Sequence, residues 1–323
     1  VLSDGDLFTC LRNAAEDRDW PWQPSAVIRR HQTERASSGS HAEVVDVADA
    51  HGTTHSVFVK VGAESTNCGR FRGGLRGGLR YEDDAQRLAR QKAPDSVPEP
   101  LGSLTLDSGF AVKFSAAVSH DAVESKAHKL ARTVDWLLDF QSRVDPDGVS
   151  LLNDHTAQFH GQWAAGFSLI VGSLFERVGL RPSGPPSMNE ELLLSDAVHL
   201  TDNRLVTLVH GDLYSDNVIE SPRGIMVTDW ELAARANAAI DLATLVMGWP
   251  ASTTSPLVDH YVACTARRSG VHPAAVERSV RSARRIVLAR VLTCFPPDPV
   301  DRKRTRRARR RLLEFEATLG CVR

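Results

Sequence analysis

The chain has 323 residues, 42% of them apolar and 24% charged, with a formal net charge of −1. These fractions lie near globular averages and exclude a disordered or fibrous chain, and the length is enough for two domains. Five cysteines (Cys10, Cys68, Cys264, Cys294 and Cys321) form no Cys-x-x-Cys pair, and twelve histidines show no metal-ligand spacing, so neither a disulfide scaffold nor a zinc site is expected.

In chain order, a first strand is expected from Val27 and a second from His41 to Val47, joined through Ser37-Ser38-Gly39-Ser40. Small residues at such a turn let backbone N–H groups approach phosphate oxygens, which makes Ser38, Gly39 and Ser40 candidate phosphate contacts. His55 to Val61 alternates, with Val57, Val59 and Val61 on one face and Ser56, Phe58 and Lys60 on the other, the pattern of a half-buried strand. Lys60 is the only lysine before position 92. Arg70 to Arg80 repeats Gly-Gly-Leu-Arg and holds four glycines, the composition of a loop. Leu79 to Gln91 then suits a helix, on which Glu82 shares a face with Ala85 and Ala89. Asp83 and Asp84 could serve in a shifted register, but the longer Glu82 reaches further.

Val97-Pro98-Glu99-Pro100 reads as extended because proline fixes φ, and Gly109 to Ser115 as the next strand. Helices are expected over Ser125 to Arg143, about 150 to 178, and 189 to 200, the last two separated by the turn-rich Arg181 to Pro186. Leu205 to Val209 is a strand feeding His210-Gly211-Asp212. Val218 to Glu220 and Ile225 to Thr228 form a hairpin about Ser221-Pro222-Arg223-Gly224. Pairing residue 218 with 227 sets Asn217 across from Thr228, one residue before Asp229.

That spacing has a chemical meaning. Phosphoryl transfer needs metal ions that neutralise phosphate charge and a carboxylate that positions the attacking hydroxyl. Asp212 precedes Asn217 by five residues, the interval between base and metal-binding Asn in kinase catalytic loops. Asp212 is thus the candidate base, Asn217 and Asp229 the candidate Mg²⁺ ligands, and Lys60, braced by Glu82, the candidate clamp on the α and β phosphates of ATP or GTP.

The string His210-Gly211-Asp212-x4-Asn217 with Asp229-Trp230 resembles the catalytic loop of the aminoglycoside phosphotransferase and choline kinase group. The resemblance implies an α+β, two-lobed, protein-kinase-like fold: a small antiparallel β lobe over residues 1–117 that binds nucleotide, and a larger, mainly helical lobe over 118–323 that carries catalysis and the acceptor. It implies ATP or GTP with Mg²⁺ as cofactors, a phosphate-covering turn at Ser38 to Ser40, a structural brace of the catalytic loop at Asp241, and a small-molecule hydroxyl acceptor such as an antibiotic or sugar.

Charge narrows the acceptor. Residues 261–323 carry 16 Arg or Lys against 5 Asp or Glu, densest from Asp301 to Arg311, while the remainder is acidic. Only Glu314 and Glu316 offer carboxylates on the terminal helix, which speaks against a polycationic acceptor; an anionic or peptidic acceptor, or a solvated helix face, fits better. Aromatic residues are not interleaved with the basic run, so nucleic acid is not expected. A kinase for Ser or Thr hydroxyls of a peptide and a non-catalytic kinase-shaped binding module are the alternatives. Intact Lys60, Asp212, Asn217 and Asp229 argue against the second. The longest apolar stretch, near Ile240 to Trp249, is too short to span a bilayer and no signal-type segment opens the sequence, so a cytoplasmic protein is expected.

Overall fold

The computed structural model describes residues 2–32, 41–63, 78–106, 110–118, 125–144, 157–180, 186–201, 203–298 and 300–320. These fall into two compact units, one taking residues up to 63, 78–118 and 216–232, the other 125–215 and 233–320.

The first unit is built on a five-stranded antiparallel sheet. Its strands are β1 (Pro24–Gln32), β2 (His41–Asp49), β3 (Thr54–Ala63), β4 (Pro100–Thr105) and β5 (Phe110–Ala116), in the order β1-β2-β3-β5-β4. One face is covered by α1 (Asp4–Asp17), an element the sequence analysis did not anticipate. Its signals were present: the Ser3 Oγ accepts the Asp6 N–H at 3.2 Å as an N-cap, and Leu7, Leu11, Ala14 and Ala15 recur at helical spacing. Those residues pack with Val45, Val47, Val57, Val59, Val112 and Phe114. Because side chains alternate along a strand, this burial of Val57 and Val59 sends Lys60 to the opposite face. There α2 (Leu79–Lys92) packs on β3, β4 and β5. The β3–β5 register sets Lys60 directly opposite Lys113.

The hairpin of β7 (Val218–Ser221) and β8 (Gly224–Val227) belongs to the same unit, and Val218 pairs with Val227 as the turn chemistry predicts. The Val227 N–H donates to the Ser96 carbonyl at 2.8 Å.

In the second unit, β6 (Val206–Val209) pairs antiparallel with β9 (Ala234–Asn237). Around this ribbon stand α3 (Lys126–Arg143), α4 (Ala157–Arg177), α5 (Pro186–His199), α6 (Ala239–Val246), α7 (Ala251–Ser269), α8 (Pro273–Cys294) and α9 (Arg302–Gly320). Helix α8 is central: α4, α5, α6, α7 and α9 all pack on it. It buries Val276, Val280, Ala283, Val287, Leu288 and Val291. It also buries Arg285, whose guanidinium grips Asp196 of α5 through two bonds of 2.6 and 2.7 Å. Neither α7 nor α8 was anticipated, although Gly270, at φ 67°, ends the first and Pro273 opens the second. No described helix is long and apolar enough to cross a membrane.

Candidate functional site

Within the first unit, one buried lysine gathers three carboxylates. Lys60 Nζ donates to Glu82 Oε2 at 2.9 Å, to Asp229 Oδ1 at 2.8 Å and to Glu231 Oε2 at 3.3 Å. Burial alone would push the ammonium down, but the attraction of Glu82, then Asp229 and Glu231, carries its pKa well above that of an ordinary lysine. The three acidic residues near the start of α2 have separate surroundings. Glu82 meets Lys60, Asp83 is buried and pairs with Arg87 at 3.1 Å, and Asp84 is exposed.

Lys113 was missed by the sequence analysis. Its Nζ donates to the other oxygen of Glu82 at 2.7 Å and to Gln86 Oε1 at 2.5 Å. Burial raises the Glu82 carboxyl, yet Lys113 and Lys60 together hold it down to about 2. The signal for Lys113 is the cross-strand register, which depends on a pairing between segments some fifty residues apart.

Asp229 follows the hairpin in an uncommon backbone state. Its φ is 65°, so the chain turns away from the strand direction here rather than continuing it as the sequence analysis assumed. Trp230 fixes the turn: the indole is fully buried and its Nε1–H donates to the Val227 carbonyl at 3.0 Å. The Thr228 N–H donates to the Asn217 carbonyl at 2.9 Å, so Asn217 and Asp229 flank the mouth of the hairpin. Oxygens of Glu82, Asp229 and Glu231 lie within 4.8 Å of one another because all three face the Lys60 ammonium. Glu231 was also missed, although a carboxylate two residues after Asp229 was visible. Ser38, Gly39 and Ser40 lie outside the described residues, as does most of the Arg70 to Arg80 segment.

In the second unit, β6 delivers His210-Gly211-Asp212 to a loop held from below and from the side. Asp241 of α6, fully buried, accepts the backbone N–H of His210 and of Gly211, each at 2.8 Å. Gly211 has a φ of 77°, a conformation that a side chain would strain. From α8, the buried Arg290 donates to the Gly211 carbonyl at 2.7 Å and to Asp212 Oδ1 at 3.4 Å. Tyr214 lies against Arg290 as well; burial, and then the Asp212 charge, push its phenol up to about 12. Lys129 of α3 caps the end of the loop by donating to the Ser215 carbonyl at 2.8 Å. Arg290 was hidden from the sequence analysis among the many arginines of the C-terminal segment.

Burial pushes the Asp241 carboxyl up to about 7, against the pull of its two N–H donors and Arg290. An acid whose pKa is higher folded than unfolded gives stability that is fully present below the unfolded value, near 4, and lost as pH rises through the folded one. Over that window the wild type should lose up to roughly 1 kcal/mol of stability per pH unit relative to Asp241→Asn. Urea unfolding of both proteins at pH 4.5 to 8 checks this; a flat difference would mean that Asp241 stays ionised throughout.

Residues 182–279 match the Phosphotransferase enzyme family. No curated protein matches the chain at a significant level. The fold is similar to that of aminoglycoside 2'-phosphotransferase-IIIa in its GDP complex, with a TM-score of 0.56 and 11% identity over 98% of this chain and 99% of that one. A thermostable mutant of aminoglycoside phosphotransferase APH(4)-Ia, in ternary complex with AMP-PNP and hygromycin B, gives 0.57 and 16% over 91% and 95%. Choline kinase LicA from Streptococcus pneumoniae gives 0.51 and 15% over 89% and 94%. The fold is therefore protein-kinase-like.

Proposed function

We propose that this chain is a Mg²⁺-dependent phosphotransferase that moves the γ-phosphoryl group of ATP or GTP to a hydroxyl of a small-molecule acceptor. The observation that carries this reading is the contact of one buried lysine with a helix carboxylate and with the carboxylate after the hairpin, Lys60 to Glu82 and Asp229. A cation fixed in this way is placed to clamp phosphates rather than to wander in solvent. The His210-Gly211-Asp212 loop, tied down by Asp241 and Arg290, supplies the second requirement, a rigidly presented base.

The roles follow. Asp212 receives the proton of the acceptor hydroxyl and orients its oxygen. Lys60, held by Glu82, binds the α and β phosphates. Asn217 and Asp229 would hold Mg²⁺, which supplies charge neutralisation at the phosphates. Glu231 keeps Lys60 aligned, and Ser38, Gly39 and Ser40 would offer backbone N–H groups to phosphate oxygens. The similar structures were solved with GDP, or with AMP-PNP and hygromycin B, which supports nucleotide as donor and a hydroxyl compound as acceptor.

Titration of ATP and of GTP with and without Mg²⁺ tests the reading. Binding should require the metal, and Asp229→Asn should weaken Mg-nucleotide affinity at least about tenfold, or 1.4 kcal/mol. Metal-independent binding, or an unchanged affinity in that variant, would remove Asp229 from the role.

A further inference from the structure

The arginines of the C-terminal segment divide into two sets that the sequence pooled. On α8, Arg285 is bound to Asp196, Arg284 to Glu314 at 3.0 Å, and Arg290 to the His210-Gly211-Asp212 loop. On α9 itself, Glu314 pairs with Arg284. Glu314 is doubly engaged, since it also accepts the Gly248 N–H at 3.0 Å. Glu316, the other carboxylate of α9, is engaged as well, so neither is free to neutralise the arginines or greet a cationic acceptor.

Arg304, Arg307 and Arg311 are spaced by three and four residues, so they share one side of the helix and form a row about 10 Å long at 1.5 Å per residue. The row runs beside the packed residues Ala308, Leu312 and Phe315, leaving Arg304 and Arg311 half-buried while Arg307 is exposed. Arg304 Nε is buried with no hydrogen-bond partner among the described residues, the condition of a donor that lacks its ligand. Burial, with the neighbouring Arg307 and Arg310, makes the Arg311 charge costly and lowers its pKa, against the pull of Tyr214 and Glu314. Tyr214 ties the row to the site: it stands two residues after Asp212, and its hydroxyl lies in the field of both Arg290 and Arg311. Two half-buried guanidiniums with the exposed Arg307 between them, none in an ion pair among the described residues, thus form a row whose Arg311 end neighbours Tyr214.

We propose that Arg304, Arg307 and Arg311 form an anion subsite of the acceptor site, taking a carboxylate or phosphate borne by the molecule whose hydroxyl faces Asp212. The inference rests on the phosphotransferase reading, and it assigns an acidic acceptor class. An anion set against this row satisfies the unpartnered Arg304 donor and relieves the mutual repulsion of Arg307, Arg310 and Arg311.

The test is calorimetric titration of 3-phosphoglycerate, with glycerol as the uncharged control, into the protein saturated with Mg-ADP so that nucleotide phosphate sites are already filled. The wild type should bind 3-phosphoglycerate and not glycerol, and Arg304→Gln/Arg311→Gln should weaken the binding at least about tenfold. The part of the attraction that comes from the exposed Arg307 should also fade between low and physiological salt, because the screening length falls to about 8 Å. No binding by the wild type, or equal affinity in wild type and double variant, overturns the proposal. Should the double variant melt early, the exposed Arg307→Gln decides in its place: weakening of about threefold supports the subsite and an unchanged affinity overturns it. If the wild type fails to bind Mg-ADP, the nucleotide reading falls separately, and the same titration without nucleotide still decides the subsite.

Discussion

Asp212→Asn should abolish nearly all phosphoryl transfer while leaving Mg-nucleotide affinity essentially unchanged. The substitution keeps the size of the side chain and one carbonyl oxygen, so Arg290 Nη2, now 3.4 Å from Asp212 Oδ1, retains an acceptor. The loop itself is held by bonds that do not involve the carboxylate: the His210 and Gly211 N–H groups on Asp241, Arg290 on the Gly211 carbonyl, and the Asp212 N–H on His210 Nδ1 at 3.2 Å. What disappears is the capacity to accept a proton, and general-base catalysis is worth about 10² to 10⁴ in rate. Transfer of labelled γ-phosphate to water, measured beside nucleotide affinity by titration, gives both numbers before any acceptor is identified. Normal turnover by the variant would move the base elsewhere in the protein. Weakened nucleotide binding with intact turnover would recast Asp212 as a nucleotide contact.

How much of this was legible follows from the distance over which each signal acts. The alternation around Lys60, the hairpin that pairs Val218 with Val227 and the His-Gly-Asp loop are local patterns, and local chemistry dictates them. The partners Lys113, Glu231 and Arg290 are different in kind. Lys113 meets Glu82 only because β5 pairs with β3 in one register and α2 lies over that face. Arg290 reaches Gly211 across 79 residues of chain, and in the sequence it is one basic residue among many. Helix α1 was readable from Ser3 and its apolar spacing, but its neighbours gave no motif to draw attention to it. The excess charge of the C-terminal segment was visible as a total. The ion pairs of Arg284 and Arg285 on α8, and the row on α9 that makes none among the described residues, needed the packing.

Glu82→Gln should be among the most destabilising substitutions of a polar residue in the first unit. One carboxylate there receives Lys60 at 2.9 Å and Lys113 at 2.7 Å, with all three side chains buried. The amide keeps the volume and removes the charge. Lys60 would still have Asp229 and Glu231, but Lys113 would lose the one carboxylate it donates to among the described residues and keep Gln86 Oε1. Breaking a buried pair in this way costs about 3 to 5 kcal/mol, because an uncompensated charge stays in the interior. Since the Glu82 pKa is depressed to about 2 in the folded protein, its stabilisation is present above the unfolded value, near 4, and is lost as pH falls toward 2. The variant should therefore lack that part of the acid sensitivity. A companion substitution separates charge from packing: Glu82→Gln/Lys113→Met removes the stranded ammonium together with its partner, and should be more stable than Glu82→Gln alone. Denaturant unfolding of the two single variants, the double variant and the wild type completes the cycle. If the double variant is the least stable of the four by the sum of the single effects, the two side chains do not interact in solution, and the clamp on Lys60 does not depend on their shared carboxylate.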